Sequence, residues 1–243
     1  MTNKKSLAVT GEGLSRECRD RLCELGFEVV VFPPYERLGR GVDSHADLML
    51  FPVDDKIFIY RELSERLPEL MGKLRCRGYK IVELDAVPSE KYPQDIATNC
   101  LKVGKYLFCK KKYTADRILD CANETGYTVV NTNQGYARCC ACPVGDGGMF
   151  TADPSILKSA RSVSLKTLPI TEGYVRLEGF SHGFIGGACG ILDGTLYLAG
   201  DLNTHPDGER IESFCRDMGV SVLSLSQEPL TDVGSIFFFK DLQ

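Results

Sequence analysis

An internal repeat is the feature of this sequence that most constrains its fold. Four segments share one pattern, in which a helical stretch ends at a glycine and a strand rich in aromatic or β-branched residues follows; the glycines are Gly26, Gly78, Gly126 and Gly219. Glycine in that place is typical of a helix C-terminus, because it adopts the left-handed backbone conformation at no steric cost. The last interval is nearly twice as long as the others, which predicts a fifth unit between Gly126 and Gly219.

The segment A-D-P-S-I-L-K-S-A-R-S-V-S-L-K supplies that fifth unit. Asp153 is placed to cap a helix, and Pro154 stands at the first helical position, where its missing N–H is no loss. A two-stranded pattern precedes most of the helices, with turns near Gly104 and at Asp193-Gly194. The cysteine-rich segment C-C-A-C-P-V-G-D-G-G-M-F-T fits the same two-stranded slot.

The remaining pair of strands is divided between the two ends of the chain. D-V-G-S-I-F-F-F-K stands near the C-terminus and S-L-A-V-T near the N-terminus. We therefore expect the strand around Ile236 to Phe239 to pair with the strand around Leu7 to Val9. The predicted fold is α/β, a five-bladed pseudo-symmetric propeller of ββαβ units in a single domain. The units span approximately 230–243 plus 1–34, 43–88, 93–132, 136–178 and 182–227.

Composition and charge narrow the class of protein. The hydrophobic fraction of 43% and the charged fraction of 26% are those of an ordinary soluble globular chain. A net charge of −4 leaves no electrostatic footprint for nucleic acid or for an anionic membrane. No signal peptide is recognisable, and no apolar run approaches the roughly 18 residues that span a bilayer. We expect a cytoplasmic protein whose 11 cysteines are free thiols.

A ring of five ββαβ units is the architecture of the guanidine-modifying enzymes, or penteins, and three segments resemble that family locally. D-S-H-A-D-L-M-L-F (43–51) resembles the strand that bears the catalytic histidine, and Y-P-Q-D-I-A-T-N-C (92–100) resembles a strand of the dimethylarginine dimethylaminohydrolases. G-Y-A-R-C-C-A-C (135–142) resembles the strand that carries the cysteine nucleophile. Units that open the family's chain stand here after the cysteine, so the sequence resembles a circular permutant.

The resemblance implies a hydrolase-like guanidine- or amidine-modifying protein without a cofactor. A thiolate suits attack on a planar, resonance-stabilised guanidinium, and an imidazole suits proton transfer to the leaving amine. Cys139 matches the nucleophile and His45 the acid–base residue. On a strand, neighbouring side chains face opposite sides, so only one of Cys139 and Cys140 would face the centre. Cys140 therefore remains the alternative nucleophile.

The expected substrate-binding residues, all near the starts of strands, are Asp47, Asp95, Asn99, Gly186, Gly187 and Asp232. We expect one central cavity to be lined by His45, Asp47, Asp95, Cys139 or Cys140, Gly186 and Asp232. Asp95 and Asn99 would serve equally well to stitch turns together. Gly186 and Gly187 occupy places where the related hydrolases carry acidic residues, and they would leave room for a bulkier or anionic group. This departure from the family pattern supports an alternative function, a non-catalytic pentein-fold binding protein.

Other interpretations of the cysteines and histidines remain open from sequence alone. The C-C-x-C spacing of Cys139, Cys140 and Cys142 is not the usual zinc knuckle, although Cys189 or His182 would provide a fourth ligand; we expect no metal. His205, in the loop N-T-H-P-D-G, is expected to be exposed. The expected partner of an enzyme is a small guanidino or amidino compound, and that of a binding protein is another protein. Neither nucleic acid nor membrane is expected.

Overall fold

The computed structural model describes residues 5–242, and in that range the chain forms five sheets of three strands each. Every sheet is built in the same way. Its middle strand pairs antiparallel with one neighbour and parallel with the other, and a helix lies between the two parallel strands along the chain. The architecture is therefore mixed α/β, in the predicted order of strand, strand, helix and strand.

The elements are short. The strands, numbered β1 to β15 in chain order, are Leu7–Thr10, Glu28–Val31, Leu50–Val53, Lys56–Tyr60, Lys80–Leu84, Leu101–Val103, Tyr106–Cys109, Thr128–Asn131, Ala141–Val144, Gly148–Thr151, Lys166–Pro169, Cys189–Leu192, Thr195–Leu198, Ser221–Ser224 and Ile236–Phe239. The α-helices, numbered α1 to α7, are Arg16–Glu24, Arg61–Arg66, Pro68–Arg75, Asp116–Glu124, Ala137–Cys140, Pro154–Ser162 and Gly208–Asp217. In the described residues no helix is long and apolar enough to cross a membrane.

The two ends of the described chain share one sheet. Strand β1 pairs antiparallel with β15, with Leu7 opposite Phe239 and Thr10 opposite Ile236, and it pairs parallel with β2. The predicted pairing of the chain ends is confirmed. Residues 1–4 and Gln243, which the predicted single domain includes, lie outside the described residues.

The five units share one backbone conformation, with positive φ, at the residue that follows the helix. Gly26, Gly78, Gly126 and Gly219 all have positive φ, at 93°, 93°, 78° and 73°. In the fifth unit Ser164 takes the same conformation after α6, with φ at 61°. The prediction that these glycines end helices in the left-handed region is confirmed, and the fifth unit shows that a residue other than glycine also occupies this position.

Each of the five longer helices places one large apolar side chain against its own sheet. These side chains are fully buried: Leu22, Leu74, Ile118, Ile156 and Ile211. Burying a side chain of this size stabilises a fold by about 1.5–3 kcal/mol. Helix α6 is also capped as predicted, because the Asp153 carboxylate accepts the first free N–H groups of the helix. The helices therefore fix the sheets, and the sheets hold the segments that precede their first strands.

Candidate active site

The predicted site residues lie where the chain approaches the first strand of each sheet. His45 and Asp47 precede β3, Asp95 and Asn99 precede β6, Cys139 and Cys140 precede β9, Gly186 and Gly187 precede β12, and Asp232 precedes β15. These five segments contact one another directly. The Gly187 N–H donates to the Cys139 carbonyl (3.0 Å), and the Asp47 N–H donates to the Gly234 carbonyl (3.1 Å). Residues far apart in sequence thus meet because they occupy equivalent places in the repeat.

A buried histidine–carboxylate pair is the first element of the site. His45 Nδ1 lies 3.7 Å from Asp232 Oδ1, and both side chains are almost completely buried. The Asp232 carboxylate also accepts the N–H groups of Phe184 (2.9 Å) and Gly234 (3.1 Å). Burial raises the pKa of Asp232 and the Asp47 charge adds to this, while His45 and the two N–H groups work against it. Two backbone N–H groups therefore fix Asp232 in place, with its carboxylate beside the imidazole.

Gly186 and Gly187 are tightly packed at the centre of the site, and neighbouring atoms leave no room there for a side chain. A Cβ on Gly187 would lie 1.9 Å from Asp232 Oδ1, and a Cβ on Gly186 would lie 2.1 Å from the Arg138 carbonyl oxygen. The expectation that these glycines leave room for a bulkier or anionic group is wrong, because protein atoms already occupy that space. Asp232, which comes from another sheet, takes the space that a side chain at Gly187 would need.

Cys139 and Cys140 lie in the helical turn α5, and not on a strand as predicted. The Asn99 side chain helps to hold this turn, because its Oδ1 accepts the N–H groups of Arg138 (2.8 Å) and Cys139 (3.4 Å). Both cysteine side chains are buried, with 3% and 4% of each residue exposed. Strand alternation, the reason for predicting that only one of them faces the centre, therefore does not apply, and burial alone does not distinguish the two.

Asn99 also fixes the sulfur of Cys139. Its Nδ2 donates to Cys139 Sγ (3.0 Å) and to the Asp47 carbonyl (3.2 Å). Burial raises the pKa of the Cys139 thiol well above its usual value, and the charges of Asp47 and Asp232 add to this effect. The Asn99 hydrogen bond works in the opposite direction. In the absence of a ligand, Cys139 is a neutral thiol at pH 7.

The Asp47 carboxylate has an unused acceptor. Its Oδ2 accepts a hydrogen bond from Ser235 Oγ (2.6 Å), while its buried Oδ1 has no hydrogen-bond partner among the described residues. Ser235 Oγ also lies 3.2 Å from the Gly186 carbonyl oxygen. A buried acceptor without a donor is uncommon and marks a place where a donor belongs. Our sequence analysis missed Ser235, although it lies three residues after Asp232.

His45 and Asp232 form part of the wall of an open cleft of about 770 Å³. Its other ionisable lining residues are Glu12, Arg40, Asp43 and Glu178. Cys139 is not among its lining residues, and Cys140 lines a different cavity of about 90 Å³. The expectation that the predicted residues line one central cavity is wrong. The structure brings them into one packed group, of which His45 and Asp232 line the larger cleft.

Asp95 contacts Tyr136, the residue that precedes α5. Its Oδ2 accepts a hydrogen bond from the Tyr136 hydroxyl (2.5 Å), and burial raises its pKa. Asp95 Oδ1 is buried and has no hydrogen-bond partner in the described part of the chain. The Tyr136 ring in turn packs against Tyr92 and Phe184. Asp95 therefore connects the segment before β6 to the cysteine-bearing turn.

The other two histidines take no part in this group. His205 is buried, with Nε2 3.2 Å from the Thr171 carbonyl and Nδ1 accepting the Asp207 N–H, so the expectation that it is exposed is wrong. The partly buried ring of His182 lies 3.1 Å from Glu172 Oε1. Within residues 5–242 no group of three or more His, Cys, Asp or Glu residues is arranged to hold a metal ion.

Comparison with protein families places the chain. A family model described as "Family of unknown function (DUF6873)" matches residues 9–237. The chain belongs to this family. No curated protein sequence matches this DUF6873 chain.

Solved structures give the DUF6873 chain its wider relationship. It is similar to a dimethylarginine dimethylaminohydrolase from Pseudomonas aeruginosa complexed with citrulline, at 10% identity, with 92% of each chain covered and a TM-score of 0.53. It is also similar to the inosamine-phosphate amidinotransferase of Streptomyces griseus, at 13% identity, with 93% of this chain and 89% of the other covered and a TM-score of 0.56.

The agmatine deiminase of C. jejuni is a third such structure, at 8% identity, with 99% of this chain and 95% of the other covered and a TM-score of 0.55. These proteins are members of the pentein superfamily, so the DUF6873 chain has the pentein fold. At identities this low the likeness is one of fold alone.

Proposed function

We propose that this DUF6873 chain is a hydrolase-like protein that modifies a guanidino or amidino compound bound in the cleft of His45 and Asp232. The observation that carries the proposal is the buried His45–Asp232 pair in the wall of an acid-rich cleft. We further propose that residues 1–243 form a single domain, in which the five sheets are the blades of a propeller closed by the pairing of β1 with β15.

The cleft has the charge that such a ligand requires. Glu12, Asp43, Glu178 and Asp232 line it, against Arg40 and the titratable His45. A guanidinium or amidinium carries planar N–H donors that match carboxylate oxygens, and each such charge-assisted hydrogen bond contributes about 1.5–3 kcal/mol. The free Oδ1 of Asp47, deeper in the protein, is a further acceptor for a cation that penetrates beyond His45.

In this proposal Cys139 is the nucleophile and His45 moves the proton. The Cys139 thiol passes its proton to neutral His45, and the thiolate attacks the central carbon of the substrate. His45 returns the proton to the leaving amine as the C–N bond breaks. Neutral His45 then takes a proton from water, and the resulting hydroxide attacks the carbon of the carbon–sulfur adduct. The C–S bond breaks, the modified product leaves and loses its extra proton to solvent, and His45 returns its proton to the Cys139 thiolate.

A bound cation would also favour the thiolate. After burial itself, the charges of Asp47 and Asp232 are the main causes of the raised pKa of Cys139. A guanidinium placed against these carboxylates neutralises them, so that their effect on the thiol is removed. The proposed nucleophile is therefore activated by the substrate and is unreactive without it.

A second candidate function is supported by the position of Cys139. The thiol is buried and neutral, and it is absent from the lining of the His45 cleft. A non-catalytic protein that binds a cationic small molecule, or a partner protein that presents a basic side chain, needs the acidic cleft and no exposed nucleophile.

Labelling with a haloacetamidine distinguishes the two candidates. This probe carries an amidinium cation, and an enzyme is expected to react at Cys139 faster than at the exposed Cys23, with the rate reduced in His45→Ala and by arginine-like competitors. Calorimetric titration with guanidino compounds provides the second measurement. Binding without labelling of Cys139 supports the binding protein. Absence of both contradicts the enzyme and the binder of a cationic small molecule, and leaves a partner protein as the ligand of the second candidate.

A further inference from the structure

Two cysteines that the proposed reaction does not use lie against each other. Cys142 is in β9 and Cys189 is in β12, and their sulfur atoms are 3.0 Å apart. Both residues are wholly buried. The two strands belong to different sheets, so this contact joins two units of the repeat. A disulfide requires a sulfur–sulfur separation of about 2.05 Å, which a shift of about 1 Å would provide.

A buried arginine stands beside the pair. Arg138 donates to the carbonyl oxygens of Gly186 (2.8 Å) and Cys189 (2.9 Å), and its guanidinium lies 5.6 Å from the centre of the Phe237 ring. Its Nη1 is 3.7 Å from Cys189 Sγ. No carboxylate of the described chain forms a salt bridge with Arg138. A buried cation needs a compensating negative charge, and the Cys189 sulfur is placed to provide it.

The two thiols are therefore unequal. Burial works to raise the pKa of Cys189, but its hydrogen bond with Cys142 and the charge of Arg138 outweigh this effect and lower the pKa to about 7. Burial and the neighbouring Cys189 raise the pKa of Cys142 well above its usual value. Cys189 is therefore the thiol that ionises more readily, and Cys142 is the one that keeps its proton. An ionised sulfur next to a protonated partner is the arrangement in which an oxidised cysteine is trapped as a disulfide.

We propose that Cys142 and Cys189 are a redox pair that forms a reversible disulfide with hydrogen peroxide as the oxidant. The Cys189 thiolate attacks one peroxide oxygen, the O–O bond breaks, and hydroxide leaves to be protonated by solvent. The resulting Cys189 sulfenic acid is attacked by Cys142, whose proton leaves with the sulfenic oxygen as water. Two thiols and one peroxide thus yield one disulfide and two water molecules. Because both sulfurs are buried, only a small oxidant reaches them.

Oxidation of this pair is expected to change the reactivity of Cys139. The disulfide removes the negative charge beside Arg138, and Arg138 immediately precedes Cys139 in α5. The backbone N–H groups of both residues bind the same atom, Asn99 Oδ1. Resting on the proposed function, the redox pair is a control on the reactivity of Cys139, which is higher in the oxidised protein because the Arg138 charge is then uncompensated.

The first test is direct mapping of the bond. The full chain is treated with hydrogen peroxide under native conditions, remaining thiols are blocked, and the digest is analysed by mass spectrometry before and after reduction. The expected result is a cross-linked peptide pair containing Cys142 and Cys189 that a reducing agent separates. The cross-link is expected to vanish in Cys142→Ala and Cys189→Ala and to persist in Cys100→Ala, the matched control for another buried cysteine. Absence of the cross-link from the oxidised wild-type chain overturns the proposal.

The second test addresses the arginine. Arg138→Gln removes the charge, and because one pKa unit changes the thiolate fraction about tenfold, we expect oxidation to slow by at least about tenfold at pH 7. Arg138→Lys, which keeps a positive charge, is expected to recover part of the rate. Circular dichroism excludes unfolding as the cause, and the wild-type map stands if either variant fails to fold. Equal rates in wild type and a folded Arg138→Gln protein would contradict the role of Arg138 and with it the redox pair as proposed.

The two proposals fail separately. If the reduced protein never labels at Cys139 but forms the Cys142–Cys189 bond, the proposed reaction is wrong and the redox pair stands. If Cys139 labels quickly and no cross-link forms with peroxide, the redox pair is wrong and the proposed reaction stands.

Discussion

The two halves of the candidate site are buried to nearly the same extent, but only one of them lines the open cleft. His45 and Asp232 lie in the wall of an open cleft, whereas Cys139 is packed behind them, with its sulfur held by Asn99 and its backbone carbonyl bound by Gly187. The acid–base residue is thus presented to a ligand before the thiol is. This arrangement favours binding as the first event and reaction only after the ligand has changed the electrostatics around Cys139.

The largest expected effect comes from adding a side chain at Gly187, where the two halves of the site meet. Gly187→Ala would place a methyl group 1.9 Å from Asp232 Oδ1, which forces either the carboxylate or α5 to move. We expect the free energy of unfolding to fall by about 3 kcal/mol or more, and cation binding to be lost. Denaturant titration measures the first effect and calorimetry the second.

Gly147→Ala is the matched control for this substitution. The nearest atom to a Cβ there is the methyl carbon of Met218 at 3.4 Å, an ordinary contact with a flexible side chain. We expect a change in unfolding free energy within about 0.5 kcal/mol. Similar losses in the two variants would mean that the packing at Gly187 is not what joins the halves of the site.

Asn99 provides a way to separate structure from reactivity on the thiol side. Asn99→Ala leaves the N–H groups of Arg138 and Cys139 without an acceptor, and we expect the unfolding free energy to fall by about 1–3 kcal/mol. Asn99→Asp keeps that acceptor but replaces the Nδ2 donor to Cys139 Sγ with a negative charge. Its labelling of Cys139 is expected to be slower than wild type, because the pKa of the thiol rises further.

The comparison between these two variants decides the role of Asn99. Urea denaturation measures stability, and the pH dependence of alkylation measures the pKa of Cys139. If Asn99→Asp leaves the alkylation profile unchanged, the hydrogen bond from Nδ2 has no influence on the thiol.

Asp47 tests whether a carboxylate links the two halves. Its charge raises the pKa of Cys139, so Asp47→Asn is expected to speed alkylation by neutral iodoacetamide several-fold. The same variant is expected to slow labelling by a cationic haloacetamidine, because it removes an acceptor for the amidinium. Asp55→Asn, at an exposed carboxylate paired with Lys80, is the control and should change neither rate. Changes in the same direction for both reagents would contradict the proposed binding role of Asp47.

The sequence predicted the repeat well because its signals are local. A helix ending at Gly26 or Gly126, or starting at Asp153, is determined within a few residues. The helical turn α5 was not predicted because Asn99, which helps to hold it, lies about forty residues away in the sequence. No residue of R-C-C-A-C indicates that contact. The pairing of the chain ends was predictable because one unit was incomplete at each end.

The division of the site between two cavities depends on packing that no motif records. Asp232 fits only because residue 187 has no side chain, and Ser235 and Arg138 gained their roles from contacts across sheets. One signal was available for Arg138: a charged residue inside an otherwise apolar, cysteine-rich stretch must be either exposed or compensated. The structure shows that Arg138 is buried and must therefore be compensated, and the sequence alone does not show this burial.

The smallest expected effect concerns the second cavity, where His205 is a lining residue together with Cys140. Burial lowers the pKa of His205, and its Nδ1 accepts the Asp207 N–H, which is possible only when the imidazole is neutral. Below the unfolded-state pKa of about 6.5 the unfolded chain therefore binds a proton that the folded chain resists. Stability from this residue is complete above that pH and declines as the pH falls from there through the lower folded-state pKa.

Since one hydrogen bond of His205 is lost on protonation, we expect the unfolding free energy to fall by about 1 kcal/mol or less. His205→Gln is expected to flatten this part of the pH dependence measured by urea denaturation. His182→Gln, at a histidine outside this cavity, is expected to leave it in place. If His205→Gln loses the same stability between pH 7 and pH 5 as wild type, His205 is not the titrating group.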